Sequence, residues 1–556
     1  MRRSLKALST CAVLAACVLL VPRRALCADP AIRLNTVGYL PGHEKRASVA
    51  ARFTDFSVVA DKDGAVVFRG KATGPVHNAD TDEDLYVADF SACDRPGVYR
   101  LEVAGVGRSA PFRVARDVYD APFRAAVEAM YLWRCGTPVR ATTGGVTYSH
   151  AACHTEDAWL DFVGGGHARR DATGGWHDAG DYNKYVVNAG VTVGIMLRAW
   201  EQFGSQIQRA GLDPHGAERG LPAYLGAVKW ETDWLLKMQA ADGSAYHKVS
   251  TRDFGPALQP EDEKTPRYFT PWSSAATADF VAVMAMAARA FTPYDRAYAR
   301  RCLDAARSAY DFLRAHSDSH RADLKGFTTG AYQTGDADDR LWAAAELWET
   351  TGEARYLADF ESRARSFAEK FDLDWGWGDV KNLGMLTYLF SERAGRDAVL
   401  VRQVRDGLVA TADRLVTLRD AHGYARPLGT KYYWGCNGGV ANTTVLLQSA
   451  NLVAPKRAYV ETALDAVSHL FGRNYYGRSF VTGLGASPPL HPHFRPTLRQ
   501  PGTRTWPGYL VGGGWPRATD WRDEDENYRV NEVAINWNAP LIYALAGFTG
   551  GTPDAR

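Results

Sequence analysis

The densest chemistry in the chain lies in the run Gly174-Gly175-Trp176-His177-Asp178-Ala179-Gly180-Asp181-Tyr182-Asn183-Lys184-Tyr185. Asp178 and Asp181 stand three residues apart, among glycines and just before an apolar helical stretch, so a tight turn can aim both carboxylates into one cavity. Like charges that close push one carboxyl's pKa up, while helix-start amides favour the ionised form of the other. An ionised, anchored carboxylate is what a general base needs to activate water. The same spacing also suits a capping turn or an acidic calcium-type turn.

Two further constellations carry chemistry. Glu532 follows Asn531 in the run from Trp521 to Pro540 and opens a strongly apolar stretch. Against Val533, Ile535 and Trp537 its carboxyl would lose water, which raises a pKa and suits a general acid. The plainer alternative is a glutamate favouring a helix dipole. Cys135, the adjacent pair Cys153-His154, and His177 supply two thiolates and two imidazoles, the composition of a closed structural zinc site. A Cys135–Cys153 disulfide with two ordinary histidines is the alternative. Zinc is favoured because it employs cysteines that otherwise lack partners and fixes His177 beside Asp178.

Something must position these groups, and the apolar pattern says what. From Asp29 to Ala115 short alternating runs are broken by turn residues, as in Phe56–Ala60, Ala65–Phe68 and Gly97–Val103, with Asp63-Gly64 as a hairpin turn. Such a series of strands predicts an all-β immunoglobulin-like sandwich over residues 29–115. After Tyr119 the period becomes helical. It predicts helices at Ala121–Arg134, Val187–Phe203, Tyr224–Gln239, Ala276–Phe291, Ala299–His316, Asp339–Glu349, Arg355–Lys370, Ala398–Leu418, Val440–Leu452, Arg457–Gly472 and Asn536–Ala546. The loops between them are rich in Gly, Trp and Tyr. The fold class is therefore mainly α: a barrel of paired helices over residues 116–556, with a site where the loops gather.

Bulk composition narrows the partners. Lys and Arg total 65 against 63 Asp and Glu, with no basic cluster, which argues against nucleic acid. A basic start, Met1 to Lys6, precedes the apolar run Ala7–Val21, and Ala25-Leu26-Cys27-Ala28 follows, so residues 1–28 read as an export signal. A secreted or periplasmic protein is the expectation. Leu14-Ala15-Ala16-Cys17 offers lipid anchoring at Cys17 as a second choice, disfavoured because the apolar run continues past it. No later stretch predicts a membrane span. Removing the signal leaves Cys93, Cys135, Cys153, Cys302 and Cys436, an odd and scattered set that is no disulfide framework.

Taken in order, these segments resemble glycoside hydrolase family 9 over nearly the whole mature chain. Gly174–Tyr185 resembles the family's base-bearing segment. Trp521, Asp523, Tyr528, Glu532, Ala534, Asn538 and Ala539 match its C-terminal signature. The run Ser479-Phe480-Val481-Thr482-Gly483-Leu484-Gly485, continuing to His493-Phe494-Arg495, resembles its other signature and departs at Ser487, where the family prefers Asn, Lys or Arg.

The resemblance implies an (α/α)6 barrel behind an immunoglobulin-like domain. It implies Asp181 as general base, Asp178 as its helper, Glu532 as general acid and Asp523 as an active-site carboxylate. His493 and Arg495 are implied to contact the sugar beside the cut, with Tyr528 in the same binding set. Cys135, Cys153, His154 and His177 are implied zinc ligands; calcium occurs in some relatives, but no ligands for it can be assigned. The expected protein is a monomeric endoglucanase that hydrolyses β-1,4-glucosidic bonds of cellulose or related β-glucan with inversion. The rivals are an exo-acting cellodextrinase, an exo-β-D-glucosaminidase on chitosan oligomers, a metal-dependent phosphohydrolase built on His177-Asp178, and a non-catalytic glycan binder.

Overall fold

The computed structural model describes residues 28–216, 218–498 and 504–551; the export signal expected over residues 1–28, with Cys17, lies outside it save for Ala28. The β part runs from Ile32 to Val114. Its strands follow one path of neighbours: Ile32–Arg33, Arg46–Val49, Glu83–Asp89, Val66–Asn78, Asp55–Ala60, Gly97–Val103, Phe112–Val114 and Gly38–Tyr39. The long strand Val66–Asn78 pairs first with Asp55–Ala60 and then, past a register shift between Thr73 and Val76, with Glu83–Asp89. It thereby joins two faces around a core of Val49, Phe56, Val58, Phe90, Tyr99, Leu101 and Phe112. Asp63-Gly64 lies in the expected turn, with Gly64 at φ +74°.

Beyond Tyr119, long helices alternate between two environments. Val186–Arg209, Ser274–Phe291, Ala337–Thr351, Lys381–Phe390, Cys436–Val453 and Ile535–Ala546 are buried over most of their surface. Asp120–Leu132, Ala223–Lys237, Arg296–Ala315, Ala354–Ser366, Ala398–Ala421 and Arg457–Leu470 form the outer layer. The last inner helix packs on the first, as an (α/α)6 barrel requires. Ser274–Phe291 is long and apolar enough to cross a membrane, but it is an inner helix, buried within the barrel.

The helix Lys381–Phe390 escapes the sequence pattern because it is only ten residues long and buried on nearly every side, so its short apolar run cannot be told from a buried strand. Gly384 explains its fit. A Cβ there would lie 2.9 Å from the Trp342 Cα, so only glycine lets the two inner helices approach that closely.

Polar contacts tie the β domain to the barrel. Asn35 Nδ2 donates to Tyr119 Oη at 3.1 Å, Ser48 Oγ donates to the Gly423 carbonyl at 2.7 Å, and Tyr432 Oη donates to Asp80 at 2.6 Å. Among the barrel's connections, several gather into a small sheet, ordered Arg169–Arg170, Ala158–Trp159, Tyr268–Phe269, Lys248–Ser250 and Lys184–Tyr185. Strands of two or three residues leave no readable alternation, yet this sheet anchors the segment that carries Asp178 and Asp181.

Candidate active site and metal cluster

Asp178 and Asp181 lie in the irregular stretch before the Val186–Arg209 helix, whose N-cap is Tyr185. The expected role of helix-start amides is not met. Instead Asp181 Oδ2 accepts from Asn183 Nδ2 at 2.8 Å, the Asn183 amide at 3.3 Å and Tyr185 Oη at 3.2 Å. All three donors meet Oδ2, and Oδ1 receives none of them. Asp178 is partnered at both oxygens, by Asn188 Nδ2 at 2.6 Å and Tyr332 Oη at 2.8 Å. Burial, and next the charge of Asp181, push the Asp178 carboxyl well above the usual range. The two neighbours therefore differ: one is held through a single oxygen and the other through both.

Glu532 comes from the far end of the chain. It does not open a helix, as its sequence context suggests: Tyr528–Asn531 is a single turn, the next helix starts at Ile535, and Glu532 is extended between them. Its backbone bridges to His493, and its carbonyl accepts from the Gly512 amide at 2.9 Å. Burial pushes its carboxyl well above the ordinary glutamate range, and the charges of Asp181 and Asp178 add to the shift. The Gly180 amide and Trp434 hydrogen-bond it and oppose the shift. Asp178, Asp181 and Glu532 line one cleft of 340 Å³ with Tyr185, Phe254, Tyr332, Trp377, Trp434 and Trp537 among its walls. A second hollow of 420 Å³ shares Trp377, Trp434, Asn536 and Trp537 with it, so the two form one groove.

The remaining candidates support this cleft from its edges. Tyr528 is exposed and packs edge-on to Trp434, with ring centroids 5.4 Å apart. His493 Nδ1 donates to the Asp525 carbonyl at 2.7 Å, which leaves Nε2 as its acceptor. Burial lowers the pKa of that ring. Asp523 is absent from the cleft walls: its carboxylate accepts from the Leu490 and His491 amides and from Arg478, at 2.9–3.1 Å. It holds the loop leading to His493. Arg495 donates to the Phe254 and Gly255 carbonyls and lies over the Tyr182 ring. Ser487, the departure from the family signature, sits at φ +46°, a conformation that Asn adopts more readily.

Cys135, Cys153, His154 and His177 converge, with their ligand atoms all within 4.8 Å of one another. Both cysteines are free thiols, so the disulfide alternative falls. His154 Nε2 donates to Glu263 at 3.0 Å, which turns Nδ1 toward Cys135 Sγ, 3.6 Å away. His177 Nε2 lies 3.6 Å from Cys153 Sγ. Two sulfurs, two nitrogens and an orienting carboxylate are a set that fits a metal ion. Among the described residues no other cluster of three His, Cys, Asp or Glu side chains comes so close together, so calcium gains no ligand set of that kind.

A barrel of paired helices, a β domain ahead of it and a cleft lined by three carboxyls define a glycoside hydrolase. More narrowly, the chain belongs to glycosyl hydrolase family 9. The family model matches residues 119–545, and that of a cellulase N-terminal Ig-like domain matches residues 28–108. Among individual relatives, "Endoglucanase D" of Acetivibrio thermocellus is 54% identical over 523 residues, covering 94% of this chain and 83% of that protein. Among solved structures, a metagenome-derived family 9 endoglucanase superposes with a TM-score of 0.87 at 32% identity, covering 94% of this chain and 99% of that one. A Zn-binding triple mutant of the family 9 endoglucanase J30 gives 0.86 at 35% identity, over 92% of this chain and 100% of that one. Family membership removes the phosphohydrolase reading, and His177 is in any case part of the Cys/His cluster.

Sequence reasoning missed Tyr332, Asn188, Trp377, Trp434 and Phe254. Trp377 and Trp434 sit in Trp375-Gly376-Trp377-Gly378 and Trp434-Gly435, and aromatics flanked by glycine in long loops are the available signal. Tyr332 and Asn188 carry no local signal, because only the fold brings them to Asp178.

Proposed function

We propose that the protein is an endo-acting, inverting β-1,4-glucanase in which Glu532 is the general acid and Asp181 the general base. The carrying observation is the asymmetry of the three carboxyls. Glu532, desolvated and beside two aspartates, favours its protonated form and can deliver a proton to the leaving glycosidic oxygen. Asp181 has one oxygen fixed by three donors and the other left for a water proton. Asp178, saturated by Asn188 and Tyr332, orients the water rather than deprotonating it. Attack from the face opposite the leaving group inverts the anomeric centre. The aromatic groove suits the apolar faces of glucosyl rings, and the name of the 54% identical relative favours endo action.

Cys135, Cys153, His154 and His177 would hold zinc, whose contribution is to fold stability: the cluster ties the 135–154 segment to the stretch carrying Asp178. Export through residues 1–28 and action as a monomer complete the reading. Viscosity loss of carboxymethylcellulose and the product anomer by NMR test it, with Glu532→Gln expected to lower kcat by ~10²–10⁴-fold. Retained configuration, or release of a single small sugar from polymer ends without viscosity loss, would overturn it.

A further inference from the structure

Arg495 and Phe254 sit on opposite sides of one contact. The Arg495 guanidinium donates to the Phe254 and Gly255 carbonyls, and the residue is only 7% exposed. Its own amide is bonded to the Gly180 carbonyl at 3.2 Å, so the clamp springs from the turn between Asp178 and Asp181. Tyr182 Oη donates to the Leu258 carbonyl at 2.7 Å, and Gln259 Nε2 donates to the Pro496 carbonyl at 2.9 Å. The segment around Phe254 is thus held at several points through its backbone, while Phe254 itself is 44% exposed. The phenyl ring is thus presented at the wall of the cleft by a backbone that is firmly tied.

Phe254 also marks a direction. It lines the cleft that holds Asp181 and Glu532 but not the adjoining hollow of Trp375, Trp377, Trp434 and Trp537. The groove therefore carries aromatic surface in its carboxyl-bearing part, beyond the tryptophan hollow, as well as within that hollow. We infer that Phe254 is a sugar platform on the side of the cleft away from the tryptophan hollow, and that Arg495 is the positioning residue that sets it by clamping its backbone. The inference rests on the glucanase reading and names the polymer segment that this side receives: a glucosyl ring laid with its C–H face on the phenyl ring.

Oligosaccharide kinetics test it. With cellohexaose, Phe254→Ala should lower kcat/KM by ~10-fold, mainly through KM, and shift which bond is cut; Phe254→Tyr should restore both. Arg495→Leu should reproduce the shift, and combining it with Phe254→Ala should add little, because both changes remove the same platform. An unchanged cleavage pattern and KM in Phe254→Ala, or fully additive losses in the double variant, would overturn the inference. Those outcomes are separable from failure of the glucanase reading, in which the unmodified protein itself would not cut cellohexaose.

Discussion

Replacing Gly180 by alanine isolates the spacing between the two halves of the site. Gly180 is not in a left-handed conformation, so alanine meets no backbone strain there. The obstacle is the wall opposite. A Cβ would lie 2.6 Å from the His493 carbonyl oxygen, 2.7 Å from the His493 ring and 3.3 Å from Glu532 Oε1. Restoring an ordinary contact of ~3.4 Å to the carbonyl demands a displacement of ~0.8 Å between the Asp181 loop and the segment of His493 and Glu532. Overpacking of this kind costs ~1–3 kcal/mol of stability. A misplacement near 1 Å costs ~100-fold in rate, equivalent to ~2.7 kcal/mol of transition-state stabilisation. Gly180→Ala should accordingly remain folded, by calorimetry, while kcat on carboxymethylcellulose or cellohexaose falls by ~100-fold. A variant that turns over within about twofold of the parent would refute the idea that this approach sets the geometry between acid and base.

Other expectations follow from the same kind of contact. As the proposed general acid Glu532 must be protonated to act, and its carboxyl is shifted upward, so activity should persist as pH rises beyond the ordinary glutamate range and fall only through the raised value; a pH profile of kcat/KM that collapses near pH ~4.3 would contradict this. Asp279 and Asp339 are buried on adjacent inner helices and hydrogen-bond each other. Burial, with charge repulsion from neighbouring aspartates, raises both, so the native state holds protons that the unfolded chain releases above pH ~4, and stability should decline as pH rises from there. Asp279→Asn should therefore raise Tm more at pH ~8 than at pH ~5, and equal shifts at both would reject the account. Cys135→Ser should abolish metal content by elemental analysis and lower Tm by more than ~5 °C, while turnover per folded molecule remains; loss of turnover without loss of stability would make the metal catalytic.

The parts of this molecule that are legible in its sequence share a physical trait: they are local. Gly97–Val103 alternates along its own length, and Arg296–Ala315 carries its apolar stripe within its own turns, so pattern alone fixes them. Lys381–Phe390 is hidden because its ten-residue apolar run is too short to be told from a buried strand, whereas the longer inner helices carry more turns. The site divides the same way. Asp178, Asp181 and His177 announce themselves within one short run, and Glu532 within another. What decides their separate roles is not local: Tyr332 reaches Asp178 from 154 residues away, and the His493 backbone packs against Gly180 while bridging to Glu532.

That division explains two departures from the sequence context. Both acidic motifs point to helix termini as the source of their electrostatics, yet the Val186–Arg209 helix begins after Tyr185 and the Ile535–Ala546 helix begins after Glu532. Non-helical backbone takes the place of helix ends at both carboxyls. A helix terminus would have offered each carboxylate several amides at once and favoured the ionised form of both. Irregular and extended segments instead let the fold give Asp181 three donors at a single oxygen and leave Glu532 beside Trp434 with burial dominant. The proposed acid and base, with their opposite needs, can therefore face the same cleft because neither takes its field from a helix.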